Sequence, residues 1–179
     1  ISPSTLYGVT KASLENVCSL YARKYNLNIT IGRIFNVMGP LQPKTLFPSA
    51  AIRSLVQVKK GTLSLDELNQ KNFLGLDFTR DFLDVRDVAK AICCLLGESN
   101  KGFNVYNICS GIGVKLSDLY LEARNTILGC SSSCILPKDS VEGYSIYGNN
   151  NKFCTAFDWR PVVSIEKSLE EQINKILRA

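Results

Sequence analysis

Two side chains near one end of the chain could share a proton-transfer task. Tyr7 and Lys11 stand four residues apart in "LYGVTK", and on a helix that spacing sets both on one face, so phenol and ammonium can approach one site together. A positive charge beside the hydroxyl stabilises the phenolate, which lets a group of free pKa about 10 exchange a proton with a hydroxyl or ketone near neutral pH. The bland alternative is a tyrosine packed by its ring and a lysine in water, and for an arbitrary Tyr-x-x-x-Lys that is the commoner case. Composition narrows the chemistry further. The 179 residues contain no histidine, which removes the usual general base and excludes Ser-His-Asp and Cys-His catalysis. Acid/base work therefore falls to Tyr, Lys, Asp or Glu.

Two further residues could hold an anion. The guanidinium of Arg80 in "TRDFLDV" is a planar fork that matches phosphate oxygens and keeps its charge at any relevant pH. Its alternative use is an ion pair with Asp84 or Asp87. Asn36 precedes Gly39-Pro40 and is either a ligand contact or a turn residue bonding its own backbone. Arg33 and Arg86 read as structural. The formal charge of +5 is scattered, with no basic run longer than Lys59-Lys60, so nucleic acid is not an expected partner. The longest apolar runs, such as residues 91–96, are too short to cross a bilayer, and no charged leader precedes an apolar core, so a soluble, cytoplasmic protein is expected. Seven cysteines, an odd number lying largely in apolar stretches, read as reduced, buried thiols. Cys130 and Cys134 form an isolated CxxxC with no second pair to complete a tetrahedral set, so no metal site is expected.

Strand and helix patterns alternate along the chain, which predicts an α/β fold with some parallel sheet. Ser4 or Thr5 can cap a helix running to about Asn26, in which Val9, Ala12, Leu14, Val17, Leu20 and Tyr21 recur at helical spacing. "NITIGRIF" suits a buried strand, and "NVMGPLQP" reads as a loop. "FPSAAIRSLVQVKKG" is helical with Gly61 as its stop, while residues 62–77 fit strand or loop equally. "RDFLDV" predicts a short strand, "VRDVAKAICCLLGE" a helix, "FNVYNICSG" a strand and turn, and "KLSDLYLEARNTILG" a helix. A polar segment spans residues 131–138, and Ser164 caps a last helix with Ile165, Leu169, Ile173 and Ile176 on one face.

Taken in order, "YGVTK", "RIFNVMGP", "TRDFLDVRDVAKAI", "YNICSG" and "FDWRP" resemble the extended short-chain dehydrogenase/reductase family of NAD-dependent nucleotide-sugar epimerases, dehydratases and reductases. The resemblance covers essentially the whole chain and is strongest to the reductases that act on GDP-4-keto-6-deoxymannose. It implies Tyr7 as the catalytic acid/base and Lys11 as the residue that lowers its pKa, both holding the nicotinamide ribose of NAD or NADP. It implies Asn36 and Arg80 as substrate contacts near the diphosphate of a nucleotide sugar, with proton exchange at C4. Homodimerisation through the tyrosine helix is usual in such families.

The same resemblance marks what the 179 residues do not contain. Their twelve glycines form no GxGxxG or GxxGxxG turn of the kind that cradles a dinucleotide pyrophosphate. The family's carbonyl-binding Ser or Thr lies well upstream of the tyrosine, and Ser2, Ser4 and Thr5 are too close in sequence to take that role. The expected architecture is the C-terminal part of a Rossmann-type NAD(P)-binding fold plus a smaller α/β substrate-binding lobe. Residues 1–40 would be the Rossmann remnant with the tyrosine helix and one strand; residues 41–179 would be mainly the substrate lobe, with room for one further Rossmann element. Two functions remain open: a nucleotide-sugar epimerase, dehydratase or reductase, or a non-catalytic nucleotide-sugar binding or dimerisation fragment.

Overall fold

The computed structural model describes residues 3–70, 75–97, 101–129 and 143–178. The first helix, α1 (Leu6–Tyr25), starts where the Thr5 hydroxyl accepts from the Gly8 N–H at 3.0 Å and ends at Asn26 in the left-handed region, φ 51°. The apolar residues that recur along this helix face outward: Val9, Leu14, Val17, Leu20 and Tyr21 are all exposed, and only Ala22 is buried. The helix rests on strands β1 (Ile29–Ile34) and β4 (Phe103–Ile108), held by the bidentate Glu15–Arg33 ion pair. Its outward stripe is therefore a second apolar surface.

β1 and β4 pair in parallel from Ile29 opposite Phe103 to Ile34 opposite Ile108. A second sheet has the order β2 (Asn36–Met38), β3 (Thr79–Asp84), β5 (Gly113–Lys115), with β2 and β3 parallel and β3 and β5 antiparallel. The segment 143–148 adds one parallel bridge, Ile146 opposite Arg80. Helix α4 (Val85–Gly97) follows β3 without a gap and packs on both sheets.

Two cores result. Helices α2 (Ser49–Lys59), α5 (Leu116–Leu128) and α7 (Ile165–Leu177) bury Ile52, Leu55, Leu119, Ile127, Leu169 and Ile173 together, with Met38 and Phe82 from the second sheet. Against β4, helix α6 (Asn151–Phe157) and the chain after it place Phe153 and Trp159 beside Tyr106, Ile108, Leu83 and Val88. The rings of Phe153 and Trp159 meet edge to face at 5.1 Å between centroids.

Three expectations need correction. "NVMGPLQP" is not all loop, because Asn36–Met38 is drawn into the sheet by pairing with β3. Residues 62–77, expected as strand or loop, contain helix α3 (Leu65–Gln70). A capping box begins it: the Ser64 N–H donates to Glu67 Oε2 at 2.7 Å and the Glu67 N–H to Ser64 Oγ at 3.1 Å. Among the described cysteines Cys109 alone is fully buried and Cys93 is exposed. Cys130, Cys134 and the polar segment 131–138 lie outside the described residues.

Three buried aspartates at intervals of three residues join these parts. The Asp81 carboxylate accepts from Ser110 N–H (2.8 Å), Ser110 Oγ (2.7 Å), Gly111 N–H (2.9 Å) and Gly148 N–H (3.2 Å). Asp84 pairs with Arg86, which also reaches Glu171 on α7 at 2.9 Å. Asp87 Oδ2 accepts from the N–H groups of Val162 and Val163 at 2.9 and 2.8 Å. A carboxylate in such a setting is stabilising only while its donors are in place, since an unpaired buried polar group costs about 1–3 kcal/mol.

Asp81→Ala is expected to lower unfolding free energy by about 3 kcal/mol or more in urea denaturation, because three backbone donors lose their acceptor. Asp81→Asn keeps one acceptor oxygen and should lose less. Burial pushes the Asp84 carboxyl up, but its hydrogen bonds with Arg86 outweigh this and leave it below its ordinary value. Its stabilising effect is thus complete above the unfolded-chain value and lost as pH falls through the lower folded one. Urea midpoints taken down through the acid range should fall more steeply for the wild type than for Asp84→Asn; parallel curves would contradict this.

Candidate active site

Tyr7 and Lys11 lie on one face of α1, as their spacing predicts. The Lys11 ammonium stands over the Tyr7 ring, 5.4 Å from its centroid, and Tyr7 is 72% exposed. Both line an open groove of about 610 Å³ between α1 and β1, with Gly8, Ala12 and Cys18 on one side and Ile31, Gly32 and Ile34 on the other. Arg33 also lines this groove, but its charge is engaged by Glu15. The Glu15 carboxyl is held below its usual range first by its hydrogen bond to that guanidinium.

Arg80 and Asn36 do not line this groove. They lie instead on neighbouring strands of the second sheet, Asn36 on β2 and Arg80 on β3. Arg80 lies within β3, where Nη1 donates to two main-chain carbonyls, Thr79 at 3.0 Å and Tyr144 at 2.6 Å. Its guanidinium stacks over Phe78, 5.4 Å from the ring centroid. The alternative use of Arg80 is removed, because Asp84 is taken by Arg86 and Asp87 by Val162 and Val163. Among the described residues no carboxylate pairs with Arg80, and its Nε and Nη2 carry no hydrogen bond. A guanidinium fixed at one nitrogen with its remaining edge open can accept a phosphate or carboxylate.

Asn36 is likewise not a self-bonding turn residue. It opens β2 and donates from Nδ2 to the Asp81 carbonyl at 2.9 Å, one residue beyond Arg80. The amide is thereby held on the main chain of β3 rather than left free. The segment 143–148 runs beside β3 at this point. The Ile146 N–H donates to the Thr79 carbonyl at 2.9 Å and the Asp81 N–H to the Ile146 carbonyl at 3.1 Å. Gly148 then passes so close to Cys109 Sγ and Phe35 that a Cβ there would overlap both, which leaves room only for glycine.

A polar contact connects the Arg80 side to the start of α1. The Tyr144 hydroxyl lies 2.9 Å from Ser4 Oγ, at the start of the tyrosine helix, while the Tyr144 carbonyl binds Arg80. Sequence reasoning missed Tyr144, for which no local signal exists. It also missed Asp81, although an aspartate inside the apolar strand "RDFLDV" is a signal in itself, since a buried charge must find several donors. Beneath the site, burial first and then the Asp81 charge push the Cys109 thiol up to about 12.

Known proteins resemble this chain in sequence and fold along nearly its whole length. Residues 1–109 match the NAD dependent epimerase/dehydratase family. The chain belongs to that family. It is similar to GDP-6-deoxy-D-mannose reductase of Pseudomonas aeruginosa, 28% identical over 170 residues that make up 93% of this chain and 54% of the relative. CDP-abequose synthase of Salmonella typhimurium is 26% identical, with 95% of this chain and 56% of that one covered. Among solved structures, RMD from Pseudomonas aeruginosa complexed with NADPH superposes with a TM-score of 0.79 at 26% identity, covering 99% of this chain and 57% of the other. UDP-glucuronic acid 4-epimerase from Bacillus cereus, in complex with UDP-glucuronic acid and NAD, gives 0.77 at 26% identity, with 99% and 54% covered. The fold is thus that of Rossmann-type NAD(P)-binding reductases and epimerases, and the chain spans about half the length of the curated relatives it matches.

Iodoacetamide near neutral pH should label the exposed Cys93 in the folded chain and leave Cys109 unmodified until denaturant is added, as peptide mass spectrometry would read. Equal labelling of both before unfolding would contradict the burial described here.

Proposed function

We propose that this chain carries the acid/base pair and the substrate lobe of an NAD(P)-dependent enzyme that acts at C4 of a nucleotide sugar. The observation that carries this is the state of Arg80: a guanidinium with no acidic partner among the described residues, bonded only through Nη1, with Asn36 anchored on the carbonyl of the next residue, Asp81. Such a pair suits the diphosphate of a nucleotide sugar. Arg80 supplies charge and fork geometry, and Asn36 supplies a neutral amide that tolerates the bridging oxygens.

Tyr7 and Lys11 would serve the sugar end. The Tyr7 hydroxyl gives a proton to, or takes one from, the oxygen on C4, with the Lys11 ammonium on the same face of α1. The same two residues fit the ribose of a nicotinamide nucleotide, because a phenol and an ammonium on one face of an open groove offer donors to adjacent hydroxyls. When bound, that cofactor supplies the redox chemistry at C4. The pyrophosphate cradle is not among these residues.

The division of the chain follows this reading. Residues 1–40 with β4 form the Rossmann portion, and the remainder of 41–179 forms the lobe. That only about half of each relative's length is covered favours binding without turnover by these 179 residues alone. The exposed stripe Val9, Leu14, Val17, Leu20 and Tyr21 on α1 favours self-association into a homodimer. Free thiols and the lack, among the described residues, of any helix long and apolar enough to cross a membrane favour a cytoplasmic setting.

Calorimetric titration of the chain with GDP, CDP, UDP and dTDP tests the reading. One nucleoside diphosphate is expected to bind, and Arg80→Ala should weaken it by about tenfold or more, the loss of one charge-assisted phosphate contact. Binding indifferent to Arg80→Ala would place the anion elsewhere and overturn the assignment.

A further inference from the structure

We infer that Tyr144 is a positioning residue that clasps the phosphate end of the site to the helix bearing Tyr7, an inference that rests on the functional reading above. Its two polar ends bind opposite sides of the site. The main-chain carbonyl accepts from Arg80 Nη1 at 2.6 Å, and the hydroxyl meets Ser4 Oγ at 2.9 Å, a contact between residues 140 apart in sequence. Ser4 adjoins Thr5, whose hydroxyl accepts from Gly8 N–H and whose carbonyl accepts from Val9 N–H. The first turn of α1, where Tyr7 lies, is thus one residue from the clasp.

The backbone of this segment cannot slide. Ser145 Oγ accepts from the Thr79 N–H at 2.9 Å, Ile146 is bridged to Arg80, and the Gly148 N–H binds Asp81. The side chain of Tyr144 is different: it is 54% exposed and belongs to neither hydrophobic core. Packing does not account for its placement, whereas the hydroxyl contact does. A nucleotide sugar presents a phosphate and a reacting oxygen separated by a pyranose ring, so the guanidinium and the phenol that serve them must be held at a matching distance. Tyr144 links the two elements directly. A phosphate drawn onto the open edge of Arg80 engages the same group that Tyr144 holds, and the restraint passes through the ring to Ser4 and the start of α1.

Hydrogen exchange by mass spectrometry, with and without saturating nucleoside diphosphate, tests this on the 179-residue chain. In the wild type, bound nucleotide should slow exchange of the amides at residues 6–9 by about threefold or more. Tyr144→Phe and Ser4→Ala should each abolish that added protection, Ser4→Ala without changing nucleotide affinity, and Ser4→Thr, which keeps a hydroxyl, should retain it. A merely structural contact would alter exchange of the free chain and leave the nucleotide-dependent difference intact. Equal nucleotide-dependent protection in wild type and Tyr144→Phe overturns the clasp while sparing the functional reading. Absence of nucleotide binding to the wild type overturns both.

Discussion

The Asp81 carboxylate is fully buried and takes four hydrogen bonds from two separate places in the chain: both donors of Ser110 with the N–H of Gly111, and the N–H of Gly148. A charge so placed is tolerable only when its donors are all present. The turn after β4 must therefore close at Gly111, with φ +81°, and the segment 143–148 must lie along β3. Everything proposed for the substrate end hangs on this arrangement. The carbonyl of the same residue orients Asn36, and the segment it fixes supplies the carbonyl that anchors Arg80.

Function then follows from which groups are left with capacity. Arg33 and Arg86 are each used within the fold, on Glu15 and on Asp84 with Glu171. Arg80 differs because its hydrogen bonds are to neutral carbonyls, and among the described residues no carboxylate compensates its charge. Tyr7 and Lys11 differ in another way, being set on the rim of an open groove rather than against a core. The apolar stripe of α1 faces outward, and β1 pairs with β4 alone among the described residues.

Much of this was legible in the sequence because local rules and packing agree there. The caps of α1 and α7, the parallel strands and the Tyr7–Lys11 face follow from spacing and capping residues alone. What could not be read came from pairing at a distance. Asn36–Met38 has a loop composition and becomes a strand only because β3 lies beside it. The α1 stripe reads as a core face, and nothing local tells that Ala22 and the Glu15–Arg33 pair seat the helix instead. The α3 capping box at Ser64 and Glu67 was readable in principle and was outweighed by the ambiguous residues around it.

The most direct test of the account is a crystal structure of the chain with a bound nucleoside diphosphate. Diphosphate oxygens are expected on Nε and Nη2 of Arg80, within hydrogen-bonding reach of Asn36, with the Tyr144 carbonyl still holding Nη1. A diphosphate lodged elsewhere, such as the cleft lined by Lys44, Arg53 and Lys175 between α2 and α7, with Arg80 untouched, would contradict it.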